Sequence, residues 1–235
     1  MESKDEIRKR VWRAMEERGV ARFPGTQGRI PNFVGAERTA LTIQALPLWQ
    51  KARVIKANPD SPQRAIRELA LAQGKIVYMA VPRLREERPF IELDPNRIRV
   101  SPSFASTIKG AFKYGHMLSL EKLRGIDLVI CGSVAVNMEG ARVGKGGGYS
   151  DLEFALLVEA DKISESTPIV TTVHPFQVID QEIEMKVHDI PIDWIVTPEG
   201  ILDVKNAYQR PKGIYWDLLD PEKIGAIPVL REARR

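Results

Sequence analysis

Apolar and charged positions alternate at helical spacing over residues 4–18, which puts Ile7, Val11, Trp12 and Met15 on one face. Ser3 with Glu6 three residues on has the pattern of a capping box, and Gly19 supplies a stop. Residues 22–32 are rich in Gly, Pro and polar side chains and read as a loop, leading into a helix over 35–46. A repeated alternation follows. Residues 53–57 read as a strand, 61–73 as a helix ended by Gly74, and 75–81 as a second strand. After Gly125 comes the apolar run 126–131, a helix is expected over 151–160, and Pro168 opens a strand at 169–173. The last clear strand is 192–196.

Apolar strands separated by helices predict an α/β fold: a three-layer α/β/α sandwich around a mostly parallel, Rossmann-like open sheet with right-handed crossovers. No internal repeat or linker interrupts the pattern. Residues 1–235 therefore read as one domain, with 211–235 a C-terminal extension packed on it.

Composition narrows this picture. At 43% apolar residues the chain can bury a core without disulfides. It has no apolar run of about 18 residues, and its charged N-terminus lacks a signal core. Cys131 is the single cysteine, and it reads as a buried strand residue. A cytoplasmic protein is expected. The net charge of +4 invites a nucleic-acid partner. Yet 35 basic residues are interspersed with 31 acidic ones, as in Arg83-Leu84-Arg85-Glu86-Glu87-Arg88, and such runs are usually solvated faces. Small anionic substrates suit the balance equally well, so RNA is the disfavoured partner.

The segment Arg142-Val143-Gly144-Lys145-Gly146-Gly147-Gly148-Tyr149-Ser150-Asp151 carries the chemistry. Glycines let successive backbone N–H groups converge on an anion, and a following helix adds its N-terminal partial charge. Arg142 and Lys145 would bring full charges to phosphate oxygens, and Asp151 is a hard ligand placed for Mg²⁺. A bare glycine run would read as a flexible loop; the charged flanks favour phosphate. The segment has no Gly-Lys-Ser/Thr of a Walker loop and lies too late for a dinucleotide fingerprint. His116, His174 and His188 are too scattered to suggest a metal cluster, and Arg29 reads as a solvated loop residue.

The same segment closely resembles the signature Arg-Leu-Gly-x-Gly-x-Gly-Tyr-Tyr-Asp of the 5-formyltetrahydrofolate cyclo-ligase family, also called methenyltetrahydrofolate synthetases. Lys4-Asp5-Glu6-Ile7-Arg8 is similar to the family's N-terminal Lys-x-x-Leu-Arg. Gly74-Lys75, Val81-Pro82-Arg83, Gln177, His188-Asp189 through Asp193, and Thr197 follow in family order. The resemblance implies an ATP- and Mg²⁺-dependent closure of 5-formyltetrahydrofolate, or a related formylated reduced pterin, to the 5,10-methenyl form with release of ADP and phosphate. It implies ATP contacts by Lys4, Arg8, Arg142, Gly144, Lys145, Gly146, Gly147, Gly148 and Tyr149, with Arg142, Lys145 and Tyr149 at the chemistry. Asp60, Tyr149 and Ser150 fall on the substrate side, and Asp151 on the metal. From spacing alone Lys4 and Arg8 read as a solvated helix face, and Tyr149 equally as a core aromatic.

Three departures cluster on the folate side. Ser150 replaces the signature's second Tyr, Asp60 stands for a Glu, and Tyr114-Gly115-His116-Met117-Leu118 lacks the family's Glu-Pro. With Arg29-Ile30-Pro31-Asn32-Phe33, Gly132-Ser133-Val134-Ala135-Val136, Gly148-Tyr149-Ser150-Asp151-Leu152-Glu153 and Gln209-Arg210-Pro211, this resembles a divergent branch that includes the methenyltetrahydrofolate synthetase domain-containing proteins. The rival reading is a non-catalytic nucleotide- or RNA-binding protein that kept the phosphate loop. A monomer or weak homodimer is expected in either case.

Overall fold

A computed structural model describes residues 2–205 and 207–233, so the last two residues of the expected C-terminal extension lie outside it. Helix α1 (Lys4–Glu17) carries the expected capping box, with Ser3 and Glu6 bonded reciprocally. A small hairpin, β1 (Ala21–Arg22) with β2 (Asn32–Phe33), closes the loop after it. Short helices α2 (Thr39–Thr42) and α3 (Pro47–Lys51) lead to β3 (Val54–Ala57), α4 (Arg64–Ala72) and β4 (Ile76–Ala80). Strand β5 (Phe90–Leu93), helices α5 (Pro102–Ala105) and α6 (Ile108–Tyr114) and strand β6 (His116–Leu118) come next. Strand β7 (Leu128–Cys131) precedes a second hairpin, β8 (Ala135–Val136) with β9 (Arg142–Val143). Helix α7 (Tyr149–Glu159) follows, then β10 (Ile169–Thr172), β11 (Trp194–Val196) and β12 (Ile201–Asp203). Helices α8 (Pro221–Ala226) and α9 (Pro228–Ala233) end the described chain.

The large sheet has the order β12-β11-β10-β7-β3-β4-β5-β6. Its five central strands, β11-β10-β7-β3-β4, are parallel, and β12, β5 and β6 add antiparallel edges. This is the mostly parallel α/β sandwich expected. Side chains alternate across it. Ile55, Ala57, Val77, Met79, Leu128 and Ile130 pack with Ile43, Trp49, Ile66 and Ala70 on one face. Val54, Tyr78, Val129 and Cys131 pack with Phe154, Leu156 and Leu157 of α7 on the other. Ile224, Ile227, Val229 and Leu230 of the C-terminal segment join that second face. Helix α1 packs instead on the β8–β9 hairpin, through Ile7, Val11, Met15, Ala135 and Val143.

In chain order the parallel strands run 2-1-3-4-5, so the order reverses between β3 and β7. The chain leaves these neighbours towards opposite faces, through α4 and through α7. A crevice must open at their carboxyl ends, the place where open α/β sheets bind ligands.

The differences from expectation have local causes. The helix expected over 35–46 is broken into α2 between two 3-10 turns. Thr39 and Thr42 turn their hydroxyls onto the carbonyls of Ala36 and Arg38, which competes with regular helix bonding. Strands β5, β6 and β12 escape the apolar-run test because Glu92 interrupts β5, while β6 and β12 are the sheet's edges and carry the exposed His116 and Asp203; β12 follows 192–196, which is therefore not the last strand.

Arg67 of α4 anchors the crevice floor. It is almost fully buried, and its guanidinium donates to the carbonyls of Asn58, Asp60 (3.1 Å) and Ser106 (3.0 Å). Burial pulls its pKa down to about 10, against the pull of Asp60, so it stays charged at neutral pH. Arg67→Met strips these acceptors of their donor. It should destabilise the chain by about 3 kcal/mol, read from the urea midpoint at unchanged m-value.

Candidate functional site

Asn58 and Asp60 leave β3, Gly132 leaves β7, and Gly144, Lys145, Gly147 and Gly148 lie on the loop that joins β9 to α7; these residues meet at one cavity of about 580 Å³. Its wall also includes Arg29, Arg83 and Ile108. Arg29 is the solvated loop residue expected, at the cavity's rim. Arg83 holds a left-handed backbone (φ 60°), a strained conformation of the kind that gathers at functional sites.

Gly146 (φ +107°) and Gly148 (φ +62°) take conformations that favour glycine, and Gly148 is the N-cap of α7. The loop is held from outside by two cations. Arg8 Nε donates to the Gly144 carbonyl at 2.6 Å, and Lys223 Nζ to the Gly147 carbonyl at 2.7 Å. In a planar trans peptide the following N–H points the opposite way. The N–H groups of Lys145 and Gly148 therefore face away from those cations. Lys223 also sits 4.8 Å from the centre of the Tyr149 ring. Burial pushes its ammonium below the usual lysine range, opposed by Asp151 and Asp220.

Arg142 is buried beneath the loop. Its two terminal nitrogens donate to the Gly132 carbonyl (3.0 Å) and to Asp151 Oδ1 (2.7 Å), while Nε has no protein partner. Asp151 Oδ1 also accepts the backbone N–H of Ile190 at 3.1 Å. Burial opposes both charges, yet the pair prevails. Arg142 is raised above its ordinary value by Asp151, and Asp151 is held below the usual carboxylate range by Arg142 and the Ile190 N–H.

Of the residues singled out in the sequence, Asp60, Arg142, Gly144, Lys145, Gly147, Gly148, Tyr149, Ser150 and Asp151 line the cavity. Lys145 Nζ donates to Asp60 Oδ1 at 3.0 Å, and Ser150 Oγ lies 3.2 Å from Asn58 Nδ2. Tyr149 both lines the cavity and packs against the core. Lys4, Arg8 and Gly146 are absent from the lining. Lys4 is paired with Asp189, Arg8 with Asp5 and the loop, and Gly146 lies against the Arg8 guanidinium. Among the described residues no three His, Cys, Asp or Glu side chains converge as a metal cage.

Lys56, Asn58, Glu153 and Lys223 were given no site role from the sequence. Lys56 carries a readable signal, a charge inside the otherwise apolar, fully buried strand β3, and Glu153 is flanked by the apolar residues Leu152 and Phe154. Lys223 carries none, since only tertiary docking brings α8 to the loop.

The model of the 5-formyltetrahydrofolate cyclo-ligase family matches residues 1–198. Proteins called methenyltetrahydrofolate synthase domain-containing protein are 38% identical in Bos taurus, 39% in Mus musculus and 36% in Homo sapiens, each over 99% of this chain. The chain spans 62%, 63% and 61% of their lengths. The NMR structure of 5,10-methenyltetrahydrofolate synthetase from Aquifex aeolicus shares the fold, with a TM-score of 0.54 at 20% identity over 88% of this chain and 95% of that one. Fold and site together define an α/β protein with a glycine-rich loop at a sheet switch point. The chain belongs to the 5-formyltetrahydrofolate cyclo-ligase family.

Because Asp151 titrates below its unfolded value, its stabilisation is complete above about pH 5 and drains away as pH falls through the folded value. Asp151→Asn should flatten that acid-side loss. At neutral pH it should cost about 3 kcal/mol, because it strands the buried Arg142 charge. Urea midpoints measured from about pH 2.5 to 7 check both.

Proposed function

We propose that the chain is an ATP-dependent cyclo-ligase acting on 5-formyltetrahydrofolate or a closely related formylated reduced pterin. One observation carries this reading: the glycine loop, buried Arg142 and Lys145 converge on a single cavity at the reversal of strand order. Phosphoryl transfer asks the protein chiefly for positioning and charge neutralisation. In the proposed reaction the formyl oxygen attacks the γ-phosphorus and ADP leaves. N10 then attacks the activated carbon, and loss of phosphate and the N10 proton gives the 5,10-methenyl cation.

The loop N–H groups, Lys145 and Arg142 hold the phosphates. Lys223, whose desolvated ammonium gains from a nearby anion, is the natural further cation at the loop. Magnesium borne on the phosphates, with Asp151 as its protein carboxylate, would offset their charge. Tyr149 closes the boundary between the phosphate loop and the substrate wall.

Pure protein incubated with ATP, Mg²⁺ and 5-formyltetrahydrofolate should form methenyl product, followed by its near-ultraviolet absorbance and dependent on ATP. Lys145→Ala should raise KM for ATP about tenfold with the fold intact. Absence of product, with ATP still raising the unfolding temperature by ligand linkage, would replace this reading with a nucleotide-binding role.

A further inference from the structure

Lys56 lies within β3 with 1% of its side chain exposed, and Glu153 meets it from α7 with 5% exposed, at 2.6 Å. The sheet face around them is apolar: Val54, Tyr78, Val129 and Cys131 are all buried there. Packing gives no reason for charge at this place. A buried ion pair exchanged for apolar groups of like volume commonly leaves a protein as stable or more so. Stability therefore does not call for the pair, and it stands at the cavity wall, which Glu153 and Asn58 both line.

The surroundings decide which charge a ligand meets. Lys56 Nζ is taken by Glu153 and by Asn58 Oδ1 (3.3 Å). Asn58 Nδ2 in turn reaches Ser150 Oγ (3.2 Å) and Glu153 Oε2 (3.4 Å). What faces the cavity is a carboxylate, an acceptor only. Ser150 lies one helical turn before Glu153 on the same face. A small side chain there, where the family signature has Tyr, leaves the wall above Glu153 open. A carboxylate repels phosphate and is matched by two adjacent N–H donors in a parallel pair. In a reduced pterin, the 2-amino group and N3–H of the pyrimidinone ring form such an edge.

We infer that Glu153 recognises the 2-amino and N3–H edge of the substrate ring, with Lys56 as the positioning residue that fixes its carboxylate. The ligand class rests on the cyclo-ligase reading; turnover is not required. The departure at Ser150 then belongs to this subsite: it opens the way to a different recognition group.

Calorimetric titration with 6-carboxypterin and 6-carboxylumazine, which differ in a 2-amino against a 2-oxo group, reads the edge directly. In the presence of ADP and Mg²⁺ the wild type should prefer the pterin at least about tenfold. Glu153→Gln alone strands the Lys56 ammonium, so the variant is Lys56→Met with Glu153→Gln. It should lose the preference while ADP still raises its unfolding temperature. Should that variant fail to fold, Glu153→Asp, which keeps the charge but withdraws it by one methylene, should weaken the preference. A variant that keeps the full preference overturns the assignment. A wild type that binds 5-formyltetrahydrofolate without preferring the pterin defeats Glu153 alone. One that binds none of the three ligands defeats the cyclo-ligase reading as well.

Discussion

The buried guanidinium of Arg142 joins the parts from which the site is made. One nitrogen holds the carbonyl at the end of β7, another holds a carboxylate in the first turn of α7, and the loop's first glycine packs against the same group: a Cβ at Gly144 would lie 3.2 Å from it. Asp151 passes the connection on to the backbone of Ile190, ahead of β11. A charge this deep is tolerated only with its partners in place. The position of the glycine loop over the strand reversal is therefore fixed from below, by a residue that belongs to the β8–β9 hairpin rather than to the large sheet.

The two sides of the cavity differ in kind. The loop side offers N–H groups and cations, which suit phosphates. The wall built by β3 and α7 offers Asn58, Ser150 and a carboxylate held by a lysine. A ligand with an anionic tail and a donor-bearing ring would meet a complement at each end. Arg67 ties down the strand exit between them by holding the carbonyls of Asn58 and Asp60. The polar wall is thus set before any ligand arrives, which lowers the ordering cost of binding.

Much of the fold could be read from the chain because its parallel strands are buried on both faces and appear as apolar or β-branched runs, as at 128–131 and 169–173. The glycine loop was legible for another reason: Arg, Lys and Asp beside four glycines have few explanations besides an anion. Residues whose role depends on sheet order were hidden. Asn58 and Gly132 are far apart in the chain and meet only because β3 and β7 are neighbours. Asp60 and Ser150 were found through family resemblance, whereas Lys56 and Glu153 were given no role, although a charge in the middle of an apolar strand marks a polar contact across the layer.

The loop's outer carbonyls are held by residue 8 and by residue 223, so its frame is closed by side chains from almost opposite ends of the described chain. Contacts of such separation form only after the intervening chain has been brought into order. A molecule whose sheet has formed but whose α1 or α8 has come away would keep its crevice and lose part of the frame around the anion loop. Such partial openings are the low-energy end of native fluctuations. On the proposed function, nucleotide affinity would then report how completely the chain has folded, and a bound nucleotide would in turn restrain both ends of it.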